Sequence, residues 1–324
     1  MQIGNLCFPD RACFLAPLAG VGDRAMRELC LDYGAAGVTT EMVSAKGYVM
    51  GDRKSEELLF LSPKEHPGAI QLFGYDPATL GLAAEKAMAF GPDMIDINMG
   101  CPAPKIVGNG SGSTLLKNLP LAQEIAETVV KSVPVPVTCK IRTGWDSDHL
   151  VCVELAKRLE DAGVAAITVH GRTREQMYAP PVDYESIRQV KAAVSIPVIG
   201  NGDVTDGLSA AKMLELTGVD AIAVGRGAQG RPWVFQQVNA FLTQERILPE
   251  PPASERMRVL LKHVALLVEY KGEKVGMREA RKHAAWYIRG VRGAAQYRNA
   301  IGKLSTYDEL AELAYRVTQA ENTL

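Results

Sequence analysis

Eight short apolar runs, each leading into a turn and most of them into an amphipathic stretch of 3.6-residue period, occupy roughly the first 235 residues of the chain. The runs fall at 13–16, 37–40, 69–72, 94–98, 135–140, 165–170, 197–200 and 220–224. Helical periodicity is clearest at 78–90, 121–132, 151–162 and 208–216. Strands that alternate with helices build a parallel sheet, because each crossover must return the chain to the same edge. Eight such units in ~235 residues predict an α/β fold of the (β/α)8 TIM-barrel type. A doubly wound open sheet shares the βαβ pattern, but the count of eight favours closure.

After Phe235 the strand signal stops. Residues 247–254 form a proline-rich connector, and Ser254 is placed to cap a helix from Glu255. Helical patterns then run over 256–271, 277–290 and 307–322. The expected organisation is a catalytic barrel over 1–240 and a small helical bundle domain over 241–324. Length is sufficient for both, since the chain has 324 residues.

Composition is that of an ordinary globular protein, with 47% hydrophobic and 23% charged residues and a net charge of −1. No apolar run approaches the ~18 residues of a membrane span. The N-terminus lacks the basic start and apolar core of a signal peptide. The six cysteines show neither a C-x-x-C pair nor metal-ligand spacing. These features predict a reduced, cytoplasmic enzyme with no metal and no membrane association.

The strand ends point to chemistry, because residues just past the carboxyl ends of barrel strands face the ligand. The first strand exits into Ala16-Pro17-Leu18-Ala19-Gly20, whose backbone can lie against a flat ligand. The second leads to Glu41, the third contains Gln71, and the fourth supplies Asn98 and, after a Gly-Cys-Pro turn, Cys101. The fifth ends in Lys140 and Arg142, the sixth in His170 and Arg172. The seventh and eighth give Asn201-Gly202-Asp203 and Gly225-Arg226-Gly227. One polar strand end is easily structural; eight converging on one face define a site.

Cys101 stands where a thiol can act as nucleophile or proton donor. Lys140 is a cation able to face an electron-rich ligand such as a reduced flavin ring, or to form a Schiff base as in aldolase-type barrels. His170 is equally compatible with packing, general acid chemistry or flavin contact. The last two glycine-rich loops sit where barrels hold a phosphate on backbone N–H groups. Gly225, Gly227 and Gly230 also fit G-x-G-x-x-G, but at the eighth strand, not in the first βα unit, and without a pocket acid ~20 residues on, which fits a mononucleotide phosphate better than a dinucleotide fold.

The tail hides a local charge excess. Between Lys271 and Lys303 lie nine Lys and Arg residues against Glu273 and Glu279, an excess of seven, with Trp286, Tyr287 and Tyr297 interleaved. That composition suits phosphate contact and base stacking.

Taken together, the segments 16–24, 96–102 (Asp-Ile-Asn-Met-Gly-Cys-Pro), 140–145, 170–174 (His-Gly-Arg-Thr-Arg), 201–203, 225–233 and 280–287 resemble the tRNA-dihydrouridine synthases, in particular the bacterial B-type subfamily. The likeness runs in order through nearly the whole chain. It implies an FMN-containing barrel joined to a helical domain that grips tRNA. NADPH reduces the flavin, hydride passes to C6 of a uracil, and the matching cysteine, Cys101, protonates C5. By the same resemblance Leu18, Ala19 and Gly20 line the flavin through backbone. Gln71, Lys140 and His170 contact the isoalloxazine. Asn201, Gly202, Asp203, Gly225 and Arg226 hold the ribityl phosphate. Asn98 and Arg142 meet the uracil edge, while Arg281 and Lys282 meet tRNA. A monomer is expected. The alternative substrate for such a barrel is a free pyrimidine, as in dihydroorotate or dihydropyrimidine dehydrogenases.

Overall fold

The computed structural model describes residues 1–322; positions 323 and 324 of the expected tail lie outside the described residues. Eight strand positions close into a parallel barrel. They are β1 (Cys13–Leu15), β2 (Val38–Thr39, resumed at Val43–Ser44), β3 (Gly68–Phe73) and β4 (Met94–Asn98). The circuit continues with β5 (Val137–Arg142), β6 (Ala166–His170), β7 (Val198–Asn201) and β8 (Ala221–Val224). Closure is made by β8 against β1, where Ile222 pairs with Cys13 and Val224 with Leu15. The open doubly wound alternative is thereby excluded.

The period-two alternation of each strand divides its residues between two cores. Outward-facing Ile95 and Ile97, Cys139 and Ile141, Ile167 and Val169 pack with Leu80, Ile125, Leu155 and Ile187 of the surrounding helices. Inward-facing Phe14, Ala69, Met94, Ile199 and Ala223 fill the amino-terminal half of the barrel. A hairpin of Gln2–Ile3 and Leu6–Cys7 precedes the barrel, and its Ile3 joins that inner core. One pleat further along, the inward positions turn polar: Gln71, Asp96, Asn98, Lys140, His170 and Asn201. The helices begin where side chains cap them, at Asp23, Asp76, Asn118, Asp183 and Asp206.

β2 is not the continuous strand 37–40 that periodicity predicts. It pauses at Thr40-Glu41-Met42 while both segments pair with β3. Thr40 bridges the gap, its Oγ1 accepting from the Gln71 amide at 3.0 Å. β5 also starts and ends two residues later than expected, so Arg142 belongs to the strand itself.

The helix Val234–Gln244 packs its Val234, Phe235 and Val238 into the barrel's outer core and runs through residue 240. The tail proper contains helices Ala253–Lys271, Glu273–Tyr287, Ala294–Ile301 and Tyr307–Asn322. The first starts at Ala253 with Pro252 before it, so Ser254 lies inside the first turn and does not cap it. The expected cap fails because the proline at 252 already fixes the extended backbone that precedes a helix. The tail core includes Ala25 and Trp233 from the barrel side, so the two parts share buried surface. No helix among the described residues is long and apolar enough to cross a membrane, and all six cysteines are unpaired.

Candidate active site

The polar strand ends surround a cavity of about 660 Å³ at the carboxyl face of the barrel. Its wall carries Leu18, Ala19, Gln71, Asn98, Cys101, Lys140, Arg142, His170, Asn201, Gly202, Asp203, Gly225 and Arg226. These residues come from seven strand ends; at β2 the wall is supplied by Met42 and not by the expected Glu41, and of the six cysteines only Cys101 lines the cavity. Gly20, Arg281 and Lys282 are not on this wall. The Gly20 amide donates to the Glu41 carboxylate, and its carbonyl accepts from Lys282 Nζ. Arg281 Nε donates to the Leu304 carbonyl at 2.9 Å. The tail residue that does reach the cavity is Arg289.

A chain of buried hydrogen bonds climbs from the barrel interior to the thiol. Thr138 Oγ1 donates to Asp96 Oδ1 at 2.6 Å, and Gln71 Nε2 donates to Asp96 Oδ2 at 2.6 Å. Gln71 Oε1 then accepts from Asn98 Nδ2 at 2.9 Å. Asn98 Oδ1 accepts the amides of Gly100 at 3.2 Å and Cys101 at 2.9 Å. Asn98 therefore commits its polar atoms inside the protein, fixing the turn on which Cys101 rides. From the other side, Ser113 donates its amide to the Cys101 carbonyl at 3.1 Å. Gly112 has φ +60°, and a Cβ there would lie 2.8 Å from that carbonyl.

Cations line much of the remaining wall. Lys140 Nζ donates to Asn201 Oδ1 at 3.0 Å, and Asn201 Nδ2 donates to the Ala223 carbonyl at 2.8 Å. Arg142 holds the Gly100 carbonyl through Nε at 2.7 Å and the Thr173 and Met177 carbonyls through Nη1 at 2.8 Å. Arg172, 1% exposed, donates Nη2 to Asp203 Oδ2 at 2.5 Å, and Arg226 approaches Asp203 Oδ1 at 3.3 Å. Tyr178 sits beneath both Arg226, at 4.6 Å, and Arg142, at 5.8 Å.

Protonation is set by this crowding. Burial, reinforced by Lys140, Arg142, Arg172 and Arg226, pushes His170 far below its ordinary range, so the imidazole is neutral. Burial lowers Lys140 to about 8 and raises Asp96 to about 6. Burial also raises the Cys101 thiol, outweighing the opposite pull of Arg142 and Lys140. The thiol therefore stays protonated at neutral pH.

Sequence pattern assigns no role to Asp96 or Thr138, although a lone carboxylate amid Met-Ile-x-Ile signals that something inside the barrel needs it. Tyr178 leaves no signal, since only folding brings its loop to the cavity, and Arg289 is legible as one of the nine tail cations but not as a residue of the cavity.

A closed parallel barrel with a cofactor-sized cavity at its carboxyl face is the architecture of a barrel enzyme. Residues 14–322 match the Dihydrouridine synthase (Dus) family, and the chain belongs to it. Among its relatives is the tRNA-dihydrouridine synthase B of Pseudomonas aeruginosa, 44% identical over 308 residues, covering 95% of this chain and 92% of the relative. That of Vibrio cholerae is 42% identical over 309 residues, covering 95% and 96%. Among solved structures, the old yellow enzyme homologue from Zymomonas mobilis superposes with a TM-score of 0.56 at 15% identity, covering 78% of this chain and 93% of that one. That last likeness is one of fold.

Proposed function

We propose that this chain is an FMN- and NADPH-dependent tRNA-dihydrouridine synthase, reducing the C5–C6 double bond of one uridine in tRNA with Cys101 as proton donor. The reading is supported by the two relatives' names, by the family match, and above all by one cavity that Cys101 lines together with Lys140, Arg142 and Arg226.

The donor set fits FMN. The cavity volume is that of a cofactor site. Arg226 and the loops at Gly202 and Gly225 form a cationic, glycine-rich end for a phosphate. Lys140 and Gln71 offer N–H donors for ring carbonyls, Asn201 steers the Lys140 ammonium through its Oδ1, and neutral His170 adds no charge beside them. Bound there and reduced by NADPH, the flavin supplies hydride.

The chain's own residues do the rest. Uracil C6 is electrophilic because the double bond is conjugated to the C4 carbonyl, and its reduction leaves C5 in need of a proton. Cys101 Sγ, held protonated by burial, donates it. Asn98 and Arg142 position the turn that carries the sulfur, and Arg142, which lines the cavity, offers its Nη2 to a uracil carbonyl. A base can enter this site only when flipped out of its stack. The exposed tail cations Lys274, Arg278, Arg292, Arg298 and Lys303, with Arg289 at the mouth, serve the tRNA backbone.

The test is the Cys101→Ala protein. It is expected to keep its flavin and to accept electrons from NADPH at the wild-type rate while forming at least ~100-fold less dihydrouridine in tRNA. Undiminished product would overturn the proton-donor role. Turnover of free uracil with no response to tRNA would replace the substrate with a small pyrimidine.

A further inference from the structure

Where the tail docks on the barrel, three side chains from three helical elements meet in a fully buried cluster: Asp23, His263 and His283. Their free ligand atoms all lie within 4.8 Å of one another, and Asp23 Oδ2 stands 3.7 Å from His283 Nε2. The two imidazole rings are 4.3 Å apart, centre to centre. Both histidines have 0% exposure and Asp23 has 4%.

Four polar atoms here have no hydrogen-bond partner: Asp23 Oδ2, His263 Nε2, His283 Nδ1 and His283 Nε2. Buried polar atoms are ordinarily satisfied, and half of the eight such orphans among the described residues fall in this one cluster. The remaining atoms of two members are held in the way metal ligands are oriented. Asp23 Oδ1 accepts from the Met26 amide at 3.1 Å, which aims Oδ2 inward. His263 Nδ1 lies 3.3 Å from the Tyr287 hydroxyl, which aims Nε2 inward. Lys271 Nζ, 3.8 Å from Asp23 Oδ2, is itself paired with Glu279 at 2.7 Å, so its charge is compensated.

We propose that Asp23, His263 and His283 bind a divalent transition-metal ion, zinc by ligand type, which fastens the tail to the barrel. Two imidazoles and one carboxylate form a nitrogen–oxygen set suited to first-row divalent ions, with a water completing a tetrahedron. Tetrahedral donors ~2.0–2.2 Å from zinc stand about 3.3 Å apart, so a modest contraction closes the cluster around an ion. Cysteine spacing predicts no metal in this chain; these ligands come from positions 23, 263 and 283, which no local motif unites. The ion would sit three residues from Gly20 and beside Lys282, which already holds the Gly20 carbonyl.

The holoenzyme decides it. After dialysis against a chelator, Zn2+ alone is titrated in by equilibrium dialysis, with the melting temperature followed in parallel. The expected result is one saturable zinc per chain and a rise in melting temperature. Asp23→Asn keeps the helix cap, and His283→Gln keeps a polar side chain. Each should lose that equivalent while retaining flavin absorbance near 450 nm. The surface control His66→Ala/His149→Ala should keep it. No tight equivalent in the wild type, or one that survives both ligand variants, overturns the proposal. Should the variants fail to fold, zinc X-ray absorption on the wild type settles it: two imidazoles with oxygen support the site, and any sulfur ligand rejects it.

Discussion

The Asp96 carboxylate lies 2.6 Å from Gln71 Nε2, inside the barrel and two side chains removed from the backbone of Cys101. This contact fixes which way the Gln71 amide points, leaving Oε1 to face Asn98. Burial raises Asp96 to about 6, above its ordinary value, so the folded state favours the protonated form. Between roughly pH 4 and 6 the folded state binds more protons than the unfolded one. Asp96 therefore makes stability fall as pH rises through that window. Asp96→Asn removes the titration and keeps the shape. Urea unfolding at pH 4.5 and 7 should show the variant gaining on wild type at the higher pH; a pH-independent difference would refute the account.

Asn98 anchors the thiol turn. In Asn98→Ala two amides and Gln71 Oε1 lose their partner, which costs about 1–3 kcal/mol for each buried group left unpaired. Dihydrouridine formation should fall ~10- to 100-fold with NADPH-driven flavin reduction largely intact, because the flavin's other contacts remain. Asn98→Asp still accepts both amides and should fall between the two. Single-turnover assays with tRNA separate the steps.

Because burial raises the Cys101 thiol, the proton donor stays loaded beyond its ordinary titration range near 8.5. The rate of uridine reduction in a pre-reduced enzyme should therefore keep more than half of its pH 7 value at about pH 8.5. A rate already halved by pH 7.5 would show a depressed thiol and contradict the environment described here.

Arg226 faces the glycine-rich end of the cavity with Asp203 as its protein partner. Charge-assisted hydrogen bonds of this kind contribute about 1.5–3 kcal/mol. Arg226→Ala should therefore weaken FMN binding ~10- to 100-fold while leaving riboflavin, which lacks the phosphate, nearly unaffected. Fluorescence titration of the two flavins makes the comparison direct.

Gly112→Ala places a Cβ against the Cys101 carbonyl at a backbone φ of +60°. A cost of roughly 1–3 kcal/mol is expected, together with a lowered melting temperature and slower product formation. Gly91→Ala, at φ +64° with open space around it, supplies the control for backbone strain alone.

Much of this was legible in the sequence because barrel strands expose their tips in a fixed order. A polar residue ending an apolar run could be placed on the cavity without knowing the loops. That logic located Gln71, Cys101, Lys140, His170 and Asn201. What strand position does not tell is how a side chain is spent once there. Asn98 sits on the wall as expected and directs its polar atoms to Gln71 and to the Cys101 turn. Gly20, expected in the first turn, lies off the wall with its amide on Glu41. Arg281, expected at tRNA from the resemblance alone, has its Nε on the Leu304 carbonyl. The pause in β2 was invisible because a two-residue strand carries too little alternation to mark its end. The cluster at Asp23 was invisible for a further reason: nearly the whole barrel sequence separates Asp23 from the two histidines.

The shared burial of Ala25 and Trp233 with the tail helices has an engineering corollary. The tail is not an interchangeable attachment, since part of its interior is supplied by the first barrel helix and by Trp233. A chimera that grafts another tail onto this barrel must carry a matching surface for Ala25 and Trp233, or it leaves apolar side chains exposed at the seam.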